Sequence, residues 1–127
     1  MTGRISIVVD DMFFTAKIRA AAAVCGREIE VVKSLEQLEK LIDDPPSLVI
    51  VDLNSDRLNP LGALEFLKAR LSGVSVIGFL SHVQVDLKQA AERTGCDYVI
   101  PRSMFSMKLA EIMSGDLSSL PKNPSSS

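Results

Sequence analysis

The chain has 127 residues, 46% of them hydrophobic, which is enough to bury the core of one domain and too few for two. Its formal net charge is −2 and it has no basic patch, which argues against nucleic acid or an anionic membrane as a partner. No secretory signal and no apolar run of about 20 residues is present, so we expect a cytoplasmic protein.

The first predicted strand, residues 5–9, is a short apolar run that leads directly into Asp10 and Asp11. A helix is predicted next and ends at Gly26, because its apolar residues fall on one stripe at helical spacing: Phe14, Ile18, Ala21 and Cys25. Residues 28–32 then alternate charged and apolar side chains, which is typical of an edge strand. The chain is therefore predicted to begin with a strand, a helix and a second strand.

A second helix is predicted from the capping box formed by Ser34 and Gln37, and it ends before Pro45. Its predicted buried face consists of Leu35, Leu38, Leu41 and Ile42. The central strand, residues 48–52, follows with four apolar residues and Asp52. Four apolar residues are too short a run for a surface helix, so this segment is predicted to be a strand buried on both faces.

The second half of the chain repeats this alternation. Asn59 is the predicted N-cap of a helix that begins with Pro60, and an apolar strand over residues 74–80 ends at Ser81. A helix over about residues 85–93 and a short strand over residues 98–100 follow. Ser103 is the predicted cap of a final helix. From residue 114 onward Ser, Pro, Asn and Gly dominate, which predicts a disordered tail over 114–127 after a domain of residues 1–113.

Five strands that alternate with five helices predict an α/β fold with a doubly wound parallel sheet and right-handed crossovers. The flavodoxin-like (βα)5 arrangement has the strand order 2-1-3-4-5, in which strands one and three are neighbours. Open α/β sheets place their ligand crevice at the carboxyl ends of such strands. We therefore expect Asp10, Asp11 and Asp52 to share one edge of the sheet.

Three carboxylates at one edge repel one another unless a cation neutralises them or a pKa shifts. Ligand sets made only of oxygen favour Mg²⁺ over zinc. Aspartate is also common in turns after strands, so a single one carries little information. Three of them delivered by two strands favour a metal-capable acidic pocket over chance placement.

The same residues give the chain a resemblance to the receiver domain of two-component response regulators, the CheY-like family, over residues 5–113. Asp10 and Asp11 match the acidic pair that helps to bind Mg²⁺ in that family. Asp52 matches the phosphorylated aspartate and a further metal ligand. Asn54 matches the position whose backbone carbonyl binds the metal.

Two further positions match residues that respond to phosphorylation in that family: Ser81 the switch hydroxyl and Tyr98 the switch aromatic. The resemblance implies a stand-alone signalling domain, not an enzyme. It further implies that Asp52 accepts a phosphoryl group from a histidine kinase or phosphotransfer protein. The last two helices would then contact a protein target whose identity is unknown.

The sequence departs from the family where strand five ends, because Pro101 occupies the position of the family's lysine. Arg102 is one residue away, and on an extended chain this offset would direct its side chain to the other face of the sheet. Two functions therefore remain open, a phosphoacceptor at Asp52 and a phosphorylation-independent pseudo-receiver that acts as a scaffold. An aspartyl-phosphate hydrolase is disfavoured, since Asn54 occupies the place of its second aspartate. His82, at the pocket rim, is predicted to be a solvated loop residue.

Overall fold

The computed structural model describes residues 3–55, 58–81 and 84–124, and these residues contain five strands in one parallel sheet. In chain order the strands are β1 (Ile5–Val8), β2 (Ile29–Val31), β3 (Leu48–Asp52), β4 (Ser75–Leu80) and β5 (Tyr98–Pro101). Their spatial order is β2-β1-β3-β4-β5, and every pair of neighbours is parallel. The predicted flavodoxin-like α/β fold is confirmed.

The register between β1 and β3 determines where the acidic residues lie. Val8 is opposite Val51, so the two strands end almost level with each other. Asp10 and Asp11 follow β1 directly, while Asp52 is the last residue of β3. The two strands therefore deliver these carboxylates to the same edge of the sheet.

Strand β3 is buried along its whole length, as its apolar sequence predicts. Leu48 and Ile50 belong to the hydrophobic cluster on one face of the sheet, and Val49 and Val51 belong to the cluster on the other face. This division follows from the two-residue repeat of a strand. Full burial of each such side chain stabilises the fold by about 1.5–3 kcal/mol, so both faces of β3 contribute to holding Asp52 in place.

The described helices cover both faces of the sheet. They are α1 (Met12–Val24), α2 (Leu35–Lys40), α3 (Pro60–Arg70), α4 (Val85–Arg93), α5 (Arg102–Met107) and α6 (Leu109–Ser114). Helices α2, α3 and α4 pack on one face, and α1, α5 and α6 pack on the other. In the described part of the chain, none of these helices has the length and apolar character that a membrane crossing requires.

Two helical details differ from the sequence-based predictions. Leu35 is 64% exposed instead of buried, because it is the first residue of α2 and lies outside the face that Leu38 presents to the core. The sequence predicts a single final helix, whereas the structure has two short helices, which are separated at Lys108 (φ −98°, ψ 11°). The first of these begins at Arg102 directly after Pro101, so Ser103 is inside the helix and is not its cap.

The segment after α6 also differs from the disordered tail that its composition predicts. Leu120 is 6% exposed and belongs to the cluster formed with α1, α5 and α6. The backbone amide of Asn123 donates to the carbonyl of Asp97 at 2.8 Å, and its side-chain amide donates to the carbonyls of Glu92 and Cys96 at 3.0 and 2.8 Å. A few widely spaced residues thus anchor a segment that is otherwise polar.

The docking of this segment predicts a measurable loss of stability in Leu120→Ala. Removing a buried leucine side chain should lower the free energy of unfolding by about 2 kcal/mol or more, measured by chemical denaturation. Leu35→Ala is the matched control, because an exposed leucine should change stability by no more than about 0.5 kcal/mol. Equal stability of Leu120→Ala and the wild-type protein would mean that the segment is undocked in solution.

Candidate functional site

The carboxyl edge of β1 and β3 carries Asp10, Asp11 and Asp52, and we refer to this group of three residues as the acidic pocket. Asp10 is exposed, Asp11 is half-buried and Asp52 is only 7% exposed. The register of β1 and β3 places all three residues at the same edge of the sheet, as predicted.

Asp52 is a buried carboxylate, and few groups of the described residues compensate its negative charge. Its Oδ1 accepts one hydrogen bond from the backbone amide of Asn54 at 2.9 Å. Burial raises the pKa of Asp52 above its ordinary value, and the negative charges of Asp10 and Asp11 add to that effect. The Asn54 hydrogen bond and the positive charge of Arg102 oppose it. Ionisation of Asp52 is therefore less favourable in the folded protein than in the unfolded chain.

The negative charge of Asp11 is compensated by more groups of the protein than that of Asp52. Its Oδ1 caps helix α1 by accepting from the backbone amides of Phe13 and Phe14 at 2.9 and 3.1 Å. Its Oδ2 accepts from Arg102 Nη2, also at 2.9 Å. The Phe14 amide and then Arg102 lower the pKa of Asp11. Both carboxylate oxygens of Asp11 are thus engaged by other groups of the protein.

Asp10 is connected to the loop after β3. Its Oδ2 accepts a hydrogen bond from the hydroxyl of Ser55, a buried residue whose backbone amide donates to the carbonyl of Asp52 at 3.2 Å. Sequence reasoning missed Ser55. Nothing in a single serine within a polar loop distinguishes it from a solvated turn residue.

Asn54 connects the pocket to the start of helix α4. Its backbone amide binds Asp52, its side-chain Oδ1 accepts from the backbone amide of Ser81 at 2.7 Å, and its Nδ2 donates to Gln84 Oε1 at 2.6 Å. Gln84 is the residue immediately before α4. One side chain therefore joins the end of β3 to the loop after β4, a role that the family resemblance did not suggest.

The remaining sequence-predicted residues lie at different distances from the pocket. Ser81 follows β4, is exposed, and lines the same surface cavity as Arg102. Tyr98 is the first residue of β5, opposite Ile77, so it lies three residues or about 10 Å along the strand from Pro101. It is half-buried against the cluster of α1, α5 and α6, away from the carboxyl edge. His82 lies outside the described residues.

Arg102 lies on the face that the one-residue offset predicts: Pro101 is opposite Leu80, which belongs to the cluster on one face, whereas the Arg102 side chain lies with the cluster on the other face. The sequence did not reveal that Arg102, as the first residue of α5, also reaches Asp11. Its guanidinium lies over the rings of Phe14 and Phe79, at 4.3 and 5.9 Å from their centroids. The signal that could have found it is the preceding Pro101, since proline is common beside helix starts and cannot continue a buried strand.

The pocket suits Mg²⁺ in the chemistry of its donors, which are carboxylate and carbonyl oxygens. In their present arrangement, however, no three acidic, histidine or cysteine side chains of the described chain are grouped so that they could hold a metal ion. Both oxygens of Asp11 are in addition engaged by Arg102 and the helix amides. Mg²⁺ would have to compete with Arg102 for this ligand.

The raised pKa of Asp52 predicts that Asp52→Asn stabilises the protein near neutral pH. The stability contributed by a group with a raised folded-state pKa is present below its unfolded pKa and is lost as pH rises through the folded value. The Asn variant escapes this loss, so its thermal midpoint should exceed that of the wild type at about pH 7 and should converge with it as the pH falls to about 4.

The exposed Asp43 provides a matched control, because Asp43→Asn should leave the pH dependence unchanged. A wild-type protein as stable as Asp52→Asn across the whole pH range would contradict the idea that ionised Asp52 is costly to the fold.

Neither a protein-family model nor a curated protein matches this sequence. Among solved structures, a CheY-like receiver domain protein from Methanospirillum hungatei is similar with a TM-score of 0.78 and 20% identity, over 92% of this chain and 94% of that one. A putative response regulator from Chloroflexus aurantiacus is similar with a TM-score of 0.77 and 14% identity, over 93% and 99% of the two chains.

The chain also matches part of a larger protein, NtrX from Brucella abortus, with a TM-score of 0.74 and 21% identity. The match covers 94% of this chain but only 27% of NtrX. The chain thus spans about a quarter of that relative. At these identities the likeness concerns architecture, and at that level the resemblance to receiver domains is confirmed: the fold is that of the CheY-like receiver domain.

Proposed function

We propose that the protein is a receiver-type signalling domain in which Asp52 accepts a phosphoryl group. One observation carries the proposal: a buried carboxylate at the end of the central strand is hydrogen-bonded to Asn54, whose side chain in turn binds Ser81 and Gln84. A change of charge at Asp52 therefore has a direct mechanical route to helix α4. Such an arrangement suits a switch better than it suits a turnover enzyme.

The chemistry needs few protein groups. A carboxylate oxygen of Asp52 attacks the phosphorus of a phosphohistidine or a small acyl phosphate, the bond to the donor atom breaks, and the donor leaves with that electron pair. The product is an acyl phosphate on Asp52. Transfer of this kind is helped by a divalent cation that neutralises the phosphoryl charge; Asp10, Asp11, Asp52 and the backbone carbonyl of Asn54 would hold Mg²⁺ only after moving closer together than in the arrangement described above.

Signalling follows from the charge that is added. A phosphoryl group brings additional negative charge and new acceptor oxygens to a site that already disfavours ionised Asp52. The Asn54 bonds to Ser81 and Gln84 would rearrange, and Arg102 at the start of α5 would be attracted toward the new charge. The resulting population shift would alter the surface of the last helices, which we propose as the contact region for a protein target.

A second candidate function is a scaffold that acts without phosphorylation. The Arg102–Asp11 ion pair favours it, because it neutralises part of the pocket internally. Pro101 also favours the scaffold, because proline provides no cation at the end of β5. Here a partner would recognise the last helices as they stand, and its affinity would not depend on Asp52. A histidine kinase or phosphotransfer protein would be an upstream partner only under the first candidate.

Covalent labelling tests the first candidate. Incubation with acetyl phosphate and Mg²⁺ should increase the intact mass by one phosphoryl group, and Asp52→Asn should abolish the increase while Asp43→Asn retains it. Intact-protein mass spectrometry checks the result, with circular dichroism to verify that each variant folds. An unlabelled, folded wild type would refute phosphorylation and favour the scaffold. Labelling that survives in Asp52→Asn would place the acceptor elsewhere.

The proposed route through Asn54 gives a second test. Beryllofluoride, which mimics a phosphoryl group, should shift the backbone amide resonances of Ser81 and Gln84 in the wild-type protein. In Asn54→Ala these two shifts should fall by at least about half, because a side-chain bridge that carries the change is missing. The backbone amide at position 54 should still respond. Asn59→Ala, which alters only the cap of α3, serves as the matched control.

The outcome that contradicts the route is clear. If Ser81 and Gln84 shift as much in Asn54→Ala as in the wild type, the change reaches α4 by another path.

A further inference from the structure

We propose that the groove between helix α1 and the edge strand β2 is a docking site for an extended, acidic segment of another protein. The segment would lie beside β2 and add a further strand to the sheet. The groove is at the opposite edge of the sheet from β5, so it is separate from the last helices. The inference does not depend on whether Asp52 accepts a phosphoryl group.

The backbone of β2 directs hydrogen-bonding groups out of the sheet. In the described chain β2 pairs only with β1, and the amide of Val32 donates to the carbonyl of Ile7 at 2.8 Å. Because the bonding direction alternates along a strand, the N–H and C=O groups of Ile29 and Val31 point away from β1. The guanidinium of Arg19 contacts the Ile29 carbonyl at 3.5 Å, which is long for a hydrogen bond. The outer edge of β2 can therefore pair with another strand.

The groove beside this edge is large and mostly apolar. Its volume is about 760 Å³, within the range of about 300–1,000 Å³ that is usual for ligand sites. Its sheet wall includes Val9 and Val31, and its helix wall includes Met12, Ala16 and Ala20. Met12 is 83% exposed, and its flexible side chain can adapt to an occupant. A strand added beside β2 would place every second side chain in this space.

The rim of the groove is positively charged. Arg19 and Lys33 line it, both are exposed, and neither forms an ion pair within the described ranges. Asp10 also lines the groove, but it lies at the carboxyl edge and accepts a hydrogen bond from Ser55. The two cations therefore favour an occupant that carries carboxylates.

The positions of the two cations predict the pattern of the docking segment. Arg19 reaches the carbonyl of Ile29 at one end of the groove, whereas Lys33 lies at the other end, four residues along the chain. Ile29, Val31 and Lys33 share one face because side chains alternate on an extended chain. The matching segment has acidic, apolar and acidic residues at alternate positions, with its carboxylates about 13 Å apart. This pattern reads the same in both strand directions.

A second copy of this chain fits the edge less well. Antiparallel pairing that uses the outward groups of both Ile29 and Val31 would place the Glu30 residues of the two copies opposite each other. Like charges directly opposite each other destabilise a pair of strands. We therefore assign the groove to a different protein.

A peptide titration followed by ¹⁵N nuclear magnetic resonance tests the inference. The probe is a capped peptide of seven residues with aspartate at its second and sixth positions, valine at its fourth and threonine elsewhere. The outward amide of Val31 should shift at least about twice as far as the amide of Val32, which bonds to Ile7. A peptide with lysine in place of both aspartates should bind at least about tenfold more weakly.

Charge variants identify the cations that recognise the peptide. Arg19→Gln and Lys33→Gln should each weaken binding of the aspartate peptide about three- to fivefold, as expected for exposed charge pairs. Lys17→Gln is the matched control, since Lys17 is also on α1 but lines a different cavity, together with Arg102. It should leave the affinity unchanged.

A variant that fills the groove gives a test without a change of charge. Ala20→Leu should weaken peptide binding at least about tenfold, because the larger side chain occupies the space that the peptide valine needs. Ala20 is exposed, so the core stays intact, and circular dichroism verifies the fold. Ala69→Leu, at an exposed position of α3, is the matched control and should bind the peptide as the wild type does.

Several results would overturn the inference. These are equal affinity for the aspartate and lysine peptides, unchanged affinity in Ala20→Leu, and the absence of any shift at millimolar peptide. Shifts of the Val31 amide that depend on protein concentration without peptide would assign the groove to a second copy, and would overturn it as well. Covalent labelling of Asp52 is measured separately, so failure of either proposal is distinguishable from failure of the other.

Discussion

The constraint on which the site depends is the level ending of two parallel neighbours, β1 and β3. Val8 opposite Val51 brings three aspartates to one edge, and the apolar residues behind them hold both strands rigidly in the core. Asp52 cannot leave this edge without disrupting β3, and Asp10 and Asp11 follow β1 directly. The surrounding structure therefore has to supply their compensation, and the compensation is uneven.

This unevenness distinguishes the three residues. Asp11 accepts from two helix amides and a guanidinium. Buried Asp52 accepts one hydrogen bond, from the Asn54 amide, and the attraction of Arg102 is opposed by the repulsion of Asp10 and Asp11. A fold selected only for stability would bury a neutral or apolar residue at the end of its central strand. The poorly compensated carboxylate at this position supports the proposed role of Asp52.

The sequence was sufficient to predict the sheet, because four of the five strands are short apolar runs separated by helices with clear caps or stops, such as Ser34 and Asn59. Prediction from the sequence failed where long side chains and tertiary contacts determine the structure. Helix α5 begins two residues earlier than predicted, with Pro101 instead of Ser103 as the N-cap, and this early start brings Arg102 within reach of Asp11. The docked segment around Leu120 and Asn123 was missed because its average composition hides a few anchoring residues.

Two side chains connect the acidic pocket to two different helices, and both candidate functions would use these connections. Asn54 leads from Asp52 to the start of α4, and Arg102 leads from Asp11 to the start of α5. Each connection begins on a carboxylate, so under either candidate function a change of charge at this edge would act on the connections to α4 and α5. Covalent phosphorylation and a partner that binds without it would therefore differ in how the change starts, while the helices that receive it would be the same.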